Sequence, residues 1–158
     1  MSFLSHPPLM SIHAHNEAQE AKSIVARLEQ GQRIAYVSDA GTPGISDPCA
    51  LLVEAVIAAG LRVVPIPGVS ALTTVLSCAG KMAYHHVFVG FLSSKGSRSR
   101  AQLMQLVHLP FASVIYEAPH RIQSLLEAIC RIYPPERKIV IGRELTKQYE
   151  TLYHLKVA

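Results

Sequence analysis

The sequence predicts an α/β fold made of two small domains, and three observations carry that expectation. Short Val- and Ile-rich runs alternate with segments of helical spacing along the whole chain. Two of these runs, Arg33 to Ser38 and Arg62 to Ile66, stop in loops of Gly, Pro and small polar residues, and each loop opens a helix. Repeated strand, small-residue loop and helix is how an open parallel sheet builds a ligand crevice at its carboxyl edge.

Taken in order, Leu9 to Ile12 is a short strand candidate. Asn16 followed by Gln19 resembles a capping box, and Ala18, Ala21, Ile24, Val25 and Leu28 keep helical spacing until Gly31. Arg33 to Ser38 reads as a buried strand. Asp47 caps a helix with Pro48 at its first position, running to Gly60. After the strand Arg62 to Ile66 a helix is expected from about Val69 to Ala79, closed by Gly80. A polar stretch, Lys81 to His86, marks the domain junction, giving domains 1–83 and 84–158. The pattern restarts with a strand at Val87 to Phe91, a Ser-, Gly- and base-rich loop at Leu92 to Arg98, and a helix ending near Pro110. Strand Ala112 to Glu117 and a helix from Pro119 to Tyr133, stopped by Pro134-Pro135, follow. Lys138 to Arg143 and Tyr149 to Val157 are the last strands.

With 158 residues, 49% of them apolar, the chain can bury a core. The longest apolar run, Leu51 to Leu61, is broken by Glu54 and Gly60 and is too short to cross a bilayer, so no membrane association is expected. Met1 to Pro8 has neither the basic nor the apolar region of a secretion signal. Cys49, Cys78 and Cys130 are odd in number and widely spaced, which points to a reducing, cytoplasmic setting. The pairs His13/His15 and His85/His86 lack a third clustered ligand, so no metal is expected.

Charge is uneven: residues before Gly90 carry a net −1, and those from Gly90 onward a net +5. A basic second half suits a polyanionic partner, and it equally suits an ordinary solvated surface. Lys95, Arg98 and Arg100 lie in the Ser/Gly loop, which reads either as a phosphate-contacting segment or as a flexible surface loop. Arg121 stands four residues after Glu117, the spacing of a helical ion pair.

The two Gly/Pro loops are neither a Walker A motif nor a GxGxxG fingerprint. Their context is more specific. Ser38-Asp39-Ala40-Gly41-Thr42-Pro43-Gly44-Ile45-Ser46-Asp47-Pro48, Pro65-Ile66-Pro67-Gly68-Val69-Ser70-Ala71, Gly90-Phe91-Leu92, Tyr116-Glu117-Ala118-Pro119-His120-Arg121 and Arg143-Glu144-Leu145-Thr146-Lys147 occur in that order. Together they resemble the bacterial small-subunit ribosomal RNA cytidine 2'-O-ribose methyltransferases of the tetrapyrrole methylase superfamily.

That resemblance implies two α/β domains with S-adenosylmethionine in a cleft between them, small-subunit (16S) rRNA as substrate, and a homodimer. It also implies a first strand with a Pro- and Gly-Asn-containing turn and a Glu-Asp-Thr-Arg stretch upstream, and a glycine-rich last strand downstream. Neither is present, so the first domain is expected to lack its N-terminal strand and the chain to represent the middle of such an enzyme. Cys49 departs from the Gly that usually follows Asp-Pro, and the Lys81 to His86 junction is more polar than the family pattern.

The expected cofactor contacts are Asp39, Ala40, Gly41, Thr42, Ile45, Ser70, Ala71, Tyr116, Leu145 and Thr146. Asp39 at a strand end reads as a ligand acceptor or as the anchor of an Asx turn. Gly41 and Gly44 allow close backbone approach, Ser70 and its helix start offer donors, and Ile45 and Ala71 offer apolar surface. Glu117, Glu144 and Lys147 are the candidates for acid/base or electrostatic roles, without a choice among them. Lys95, Arg98, Arg100 and Arg121 are the candidate RNA contacts. A tetrapyrrole substrate, or a fragment without catalytic activity, are the alternative readings; the Glu144-Leu145-Thr146-Lys147 stretch and the basic second half favour RNA.

Overall fold

The computed structural model describes residues 8–158. Residues 1–7, which make up most of the stretch read above for a secretion signal, lie outside the described residues. The chain divides into two compact units between Gly68 and Val69. The junction expected at Lys81 to His86 falls inside the second unit. No helix among the described residues is long and apolar enough to cross a membrane.

The first unit is built on two helices, α1 (Glu17–Glu29) and α2 (Ala50–Ala58). Ala21 and Ile24 of α1 bury against Leu52 and Val56 of α2, with Leu28, Tyr36 and Leu61 packed around them. Of the helical spacing read from the sequence, Ala21, Ile24, Val25 and Leu28 lie on the packed face, and Ala18 is exposed. The caps differ from expectation. Asn16 does not cap α1 with its side chain. Its Oδ1 accepts the His13 N–H at 2.8 Å and its Nδ2 donates to the Ser11 carbonyl at 3.1 Å, so the amide is consumed by the preceding turn. Asp47 does not cap α2 either; the helix begins at Ala50 with Cys49 as its N-cap residue, and a carboxylate from α1 takes the capping role.

The segments Leu9 to Ile12, Arg33 to Ser38 and Arg62 to Ile66, expected as strands, form no ladder among the described residues. An extended segment becomes a strand only where a neighbour takes up its N–H and C=O groups. Here none does among the described residues; Ile12 and Tyr36 pack against the helices, but other side chains stay open, with Val37 79% and Ile66 78% exposed.

The second unit contains α3 (Ala71–Ser77), a 3₁₀ turn (Gly80–Ala83), β1 (His86–Phe91), α4 (Gly96–Leu106), β2 (Ala112–Tyr116), α5 (Ile122–Ile132), β3 (Lys138–Arg143) and β4 (Thr151–Lys156). β1 and β2 pair in parallel, joined by the α4 crossover, while β3 and β4 form an antiparallel pair. The parallel strand-helix-strand pattern is thus realised once. Gly90 sits at an irregularity in β1, at φ 71°, a region where an L side chain is strained.

Ile122, Leu125, Ile129 and Ile132 recur at helical spacing, and Leu125 forms a core with Leu92 and Leu103 against which the three isoleucines pack. Leu103 is fully buried, so truncation to Ala there costs about 2–5 kcal/mol. The His154 imidazole Nε2 lies 2.8 Å from the Cys78 carbonyl, tying β4 to the end of α3.

Candidate functional site

In the first unit the chain turns through Asp39–Pro48 before α2. The Ser38 hydroxyl is directed at the carbonyls of Gly41 and Ala40, at 3.0 and 3.3 Å. This closes the turn from Ser38 rather than Asp39. The Asp39 carboxylate makes no Asx bond among the described residues and is exposed, as are Ala40, Gly41 and Ile45. Gly41 and Gly44 both take φ 78°, the conformation that makes glycine necessary there. Thr42 is half-buried, and its carbonyl accepts the Ile45 N–H at 3.3 Å.

In the second unit Tyr116 ends β2 opposite Phe91 of β1, and parallel pairing puts both at the carboxyl edge, where α/β sheets bind ligands. Its ring meets Phe88 and Phe91 edge-on, at centroid distances of 5.0 and 5.7 Å, which fixes its orientation. Its hydroxyl accepts the Leu72 N–H at 2.9 Å. A cleft of about 710 Å³ opens here, lined by Ala71, Tyr116, Glu117 and Leu145 among others. Four of the expected site residues are therefore brought together.

Consecutive residues of β2 and of β3, Ala112 to Tyr116 and Lys138 to Gly142, line the same cleft. Because successive side chains of a strand point to opposite faces, such a run means that the strand edges face the space. Each strand is paired on one side alone among the described residues. The cleft thus combines apolar walls with backbone donors and acceptors.

Glu117 is committed elsewhere: its Oε1 lies 2.6 Å from Arg121 Nη2 and accepts the Ala118 N–H at 2.8 Å, with only 8% of the side chain exposed. Arg121 is thereby an ion-pair partner, and its Nε is buried with no partner among the described residues. Glu144 and Thr146 adopt φ 48° and 68°, two strained positions flanking Leu145. Glu150 accepts the Thr146 N–H, and Lys147 N–H donates to the Glu144 carbonyl at 2.9 Å, so the turn is closed from within. Glu144, Thr146 and Lys147 are exposed. Ser70 is the N-cap residue of α3 but its hydroxyl makes no capping bond.

Lys95 is the N-cap residue of α4, and Arg98 and Arg100 belong to that helix rather than to the preceding loop. All three are exposed, and the first turn of α4 has no acidic residue. Cations crowd the positive end of a helix, an arrangement that an anion would relieve.

Residues absent from the sequence reading hold these parts in place: Glu17 and Tyr36 behind the first loop, Phe88 beneath Tyr116, and Glu150 behind the Leu145 turn. Each looks ordinary in sequence, a first-turn acid or a strand aromatic. Their roles come from contacts between segments that spacing does not reveal.

Residues 5–158 match the family model of the tetrapyrrole (corrin/porphyrin) methylases. The chain is 48% identical to "Ribosomal RNA small subunit methyltransferase I" of Xylella fastidiosa (strain Temecula1), over 92% of this chain and 53% of that protein. The proteins of the same name from Pseudomonas aeruginosa and Escherichia coli O157:H7 are 42% and 43% identical, over 96% and 92% of this chain and 54% and 51% of theirs. The chain therefore spans about half the length of the curated relatives it matches. The crystal structure of the methyltransferase CobJ shares the fold, with a TM-score of 0.67 at 22% identity over 96% of this chain and 66% of that one. On the family match across nearly its whole length, this chain belongs to the tetrapyrrole methylase family.

Proposed function

We propose that this chain acts in the S-adenosylmethionine-dependent methylation of a cytidine ribose 2'-hydroxyl in small-subunit (16S) rRNA. The observation that carries the reading is 42–48% identity, over 92–96% of the chain, to proteins named ribosomal RNA small subunit methyltransferase I. The residues present fit the cofactor's chemistry. In the first unit Asp39 offers an exposed carboxylate and Gly41 an exposed backbone, and in the second unit Ala71, Tyr116 and Leu145 offer an apolar wall beside strand edges that are unpaired among the described residues. We assign cofactor contacts to Asp39, Ala40, Gly41, Thr42, Ile45, Ser70, Ala71, Tyr116, Leu145 and Thr146.

S-adenosylmethionine, when bound, supplies an electrophilic methyl group on a positively charged sulfur. The chain's own task is to hold the ribose hydroxyl in line and to manage its proton, and positioning supplies much of such a rate enhancement. Because Glu117 is paired with Arg121, its part is electrostatic and organising. Glu144 and Lys147, exposed on the turn after β3, are the groups available to take or offset the proton. Lys95, Arg98 and Arg100 at the start of α4 are assigned to the RNA phosphates. A cytoplasmic setting and a homodimer complete the reading; exposed apolar side chains such as Val37 and Ile66 support association with a second copy.

The test is transfer of labelled methyl from S-adenosylmethionine to small ribosomal subunits prepared without this modification, with 2'-O-methylation mapped as a block to alkaline cleavage. Incorporation at one cytidine is expected, and Arg98→Ala with Arg100→Ala should weaken RNA binding and flatten its salt dependence. Transfer to a tetrapyrrole in place of RNA would overturn the substrate assignment.

A further inference from the structure

We propose that Glu17 is a positioning residue, whose buried carboxylate fixes the Asp39–Pro48 loop in the conformation that meets the ligand; this rests on the cofactor assignment above. Glu17 is 5% exposed and is the one charged residue in the buried class among the described residues. Its Oε1 accepts two backbone N–H groups, from Cys49 at 2.9 Å and Leu52 at 3.1 Å. The Leu52 N–H, third in α2, is one that a local Ser, Thr or Asp cap ordinarily serves, and the Cys49 N–H, on the N-cap residue, is one that a capping-box acid serves; Glu17 takes both.

A carboxylate is costly to bury, and the cost is offset where it accepts charge-assisted hydrogen bonds at the positive end of a helix. A local cap on Asp47 would satisfy the helix alone. A carboxylate from α1 also fixes where the loop ends, because it ties the last loop residues to a different element.

The loop needs such a tie. Ser46 and Cys49 hold φ 64° and 143°, regions that non-glycine residues occupy only when their surroundings enforce it. Tyr36 supplies a second anchor, its hydroxyl donating to the Pro48 carbonyl at 3.2 Å. The far end of the loop is thus held by Glu17 and Tyr36, and the near end by the Ser38 hydroxyl. Between the anchors the Asp39 carboxylate and the Gly41 backbone stay exposed. Binding then need not order them, which is the gain of preorganisation.

The experiment compares the wild type with Glu17→Gln, Glu17→Ala and Tyr36→Phe by hydrogen exchange over residues 39–53 without ligand, and by calorimetric titration with S-adenosylmethionine. Glu17→Gln retains an acceptor oxygen at the same reach, and wild-type-like exchange and affinity are expected. Glu17→Ala should speed exchange at Cys49 and Leu52 and weaken binding, each by about tenfold. Tyr36→Phe should loosen the loop less. If Glu17→Ala does not fold, Glu17→Asp keeps the charge but loses the reach and takes its place. Wild-type exchange in the Ala or Asp variant, or a loosened loop that binds with unchanged affinity, overturns the proposal. If the wild type itself binds no S-adenosylmethionine, the cofactor assignment fails and the proposal with it, while the exchange data still decide whether Glu17 orders the loop.

Discussion

The phenolic oxygen of Tyr116 accepts the Leu72 N–H at 2.9 Å, so the last residue of β2 holds the first turn of α3. The helix that follows the motif ending at Ala71 is therefore tied to the Tyr116-Glu117 motif by one hydrogen bond. Tyr116→Phe keeps the contacts with Phe88 and Phe91 and deletes only that acceptor. Stability is expected to fall by about 1–2 kcal/mol, since a helix N–H is left without its partner. Urea unfolding checks this, and an unchanged midpoint would show that water replaces the hydroxyl.

Gly142 lies under Leu145. A Cβ at this position would stand 2.9 Å from Leu145 Cδ1 and 3.2 Å from its Cγ, so Gly142→Ala forces the leucine to turn away. Leu145 lines the cleft of the second unit. Losing about 1 kcal/mol of apolar contact corresponds to roughly fivefold weaker S-adenosylmethionine binding, with stability changed much less. Calorimetry checks this, and unchanged affinity would place Leu145 outside the ligand's reach.

Burial pushes the Cys49 thiol above its ordinary range, and the Glu17 carboxylate nearby acts in the same direction. Burial likewise raises the Tyr36 phenol, with further contributions from Cys49 and Glu17. In the unfolded chain the thiol ionises from about pH 8.5, whereas in the folded chain it keeps its proton to higher pH. The unfolded state then binds fewer protons, and stability present below that pH is lost as pH rises through the folded value. Denaturant midpoints should fall from pH 8 to 10, and Cys49→Ala should remove the first part of that slope. Alkylation at neutral pH should modify the exposed Cys78 and Cys130 and spare Cys49.

Elements with a clear pattern along the chain were legible from sequence. α5 follows from the spacing of Ile122, Leu125, Ile129 and Ile132, and β3 spans Lys138 to Arg143 as read. The ion pair of Glu117 with Arg121 also follows from i,i+4 spacing. Whether a strand-like segment finds its partner was not legible. Arg33 to Ser38 has the composition of a strand, yet a strand exists only with a neighbour, and none pairs with it among the described residues. The cap of α2 looked local, at Asp47, because sequence shows neighbours along the chain and cannot show that Glu17 arrives from α1.

Of the residues proposed for the site, four share one place in the structure. Ala71, Tyr116, Glu117 and Leu145 were found from motifs and line one cleft. The competing reading of Asp39 as an Asx anchor is removed by geometry, because the Ser38 hydroxyl closes that turn. That Arg98 and Arg100 ride on α4 was missed, since Ser, Gly and basic residues read as a loop although the helix has already begun at Gly96.

Asp39 and Ser70 give the most direct test of the cofactor assignment, because neither side chain is committed to the fold. The Asp39 carboxylate is exposed, and the Ser70 hydroxyl makes no capping bond to α3. Substituting either by Ala therefore removes no structural hydrogen bond among the described residues; Ser70 serves its helix through its carbonyl, which accepts the Thr74 N–H at 2.9 Å and survives the change. If these groups contact S-adenosylmethionine, Asp39→Ala deletes an acceptor and Ser70→Ala a donor, each weakening binding by about 1–3 kcal/mol, the higher value where a ligand group is left buried and unpaired. Unfolding midpoints should stay close to wild type. The two readouts separate the possibilities: weaker titration with intact stability identifies ligand contacts, whereas unchanged affinity in both variants would leave Asp39 and Ser70 as parts of ordinary turns and remove the physical basis for placing the cofactor at these loops.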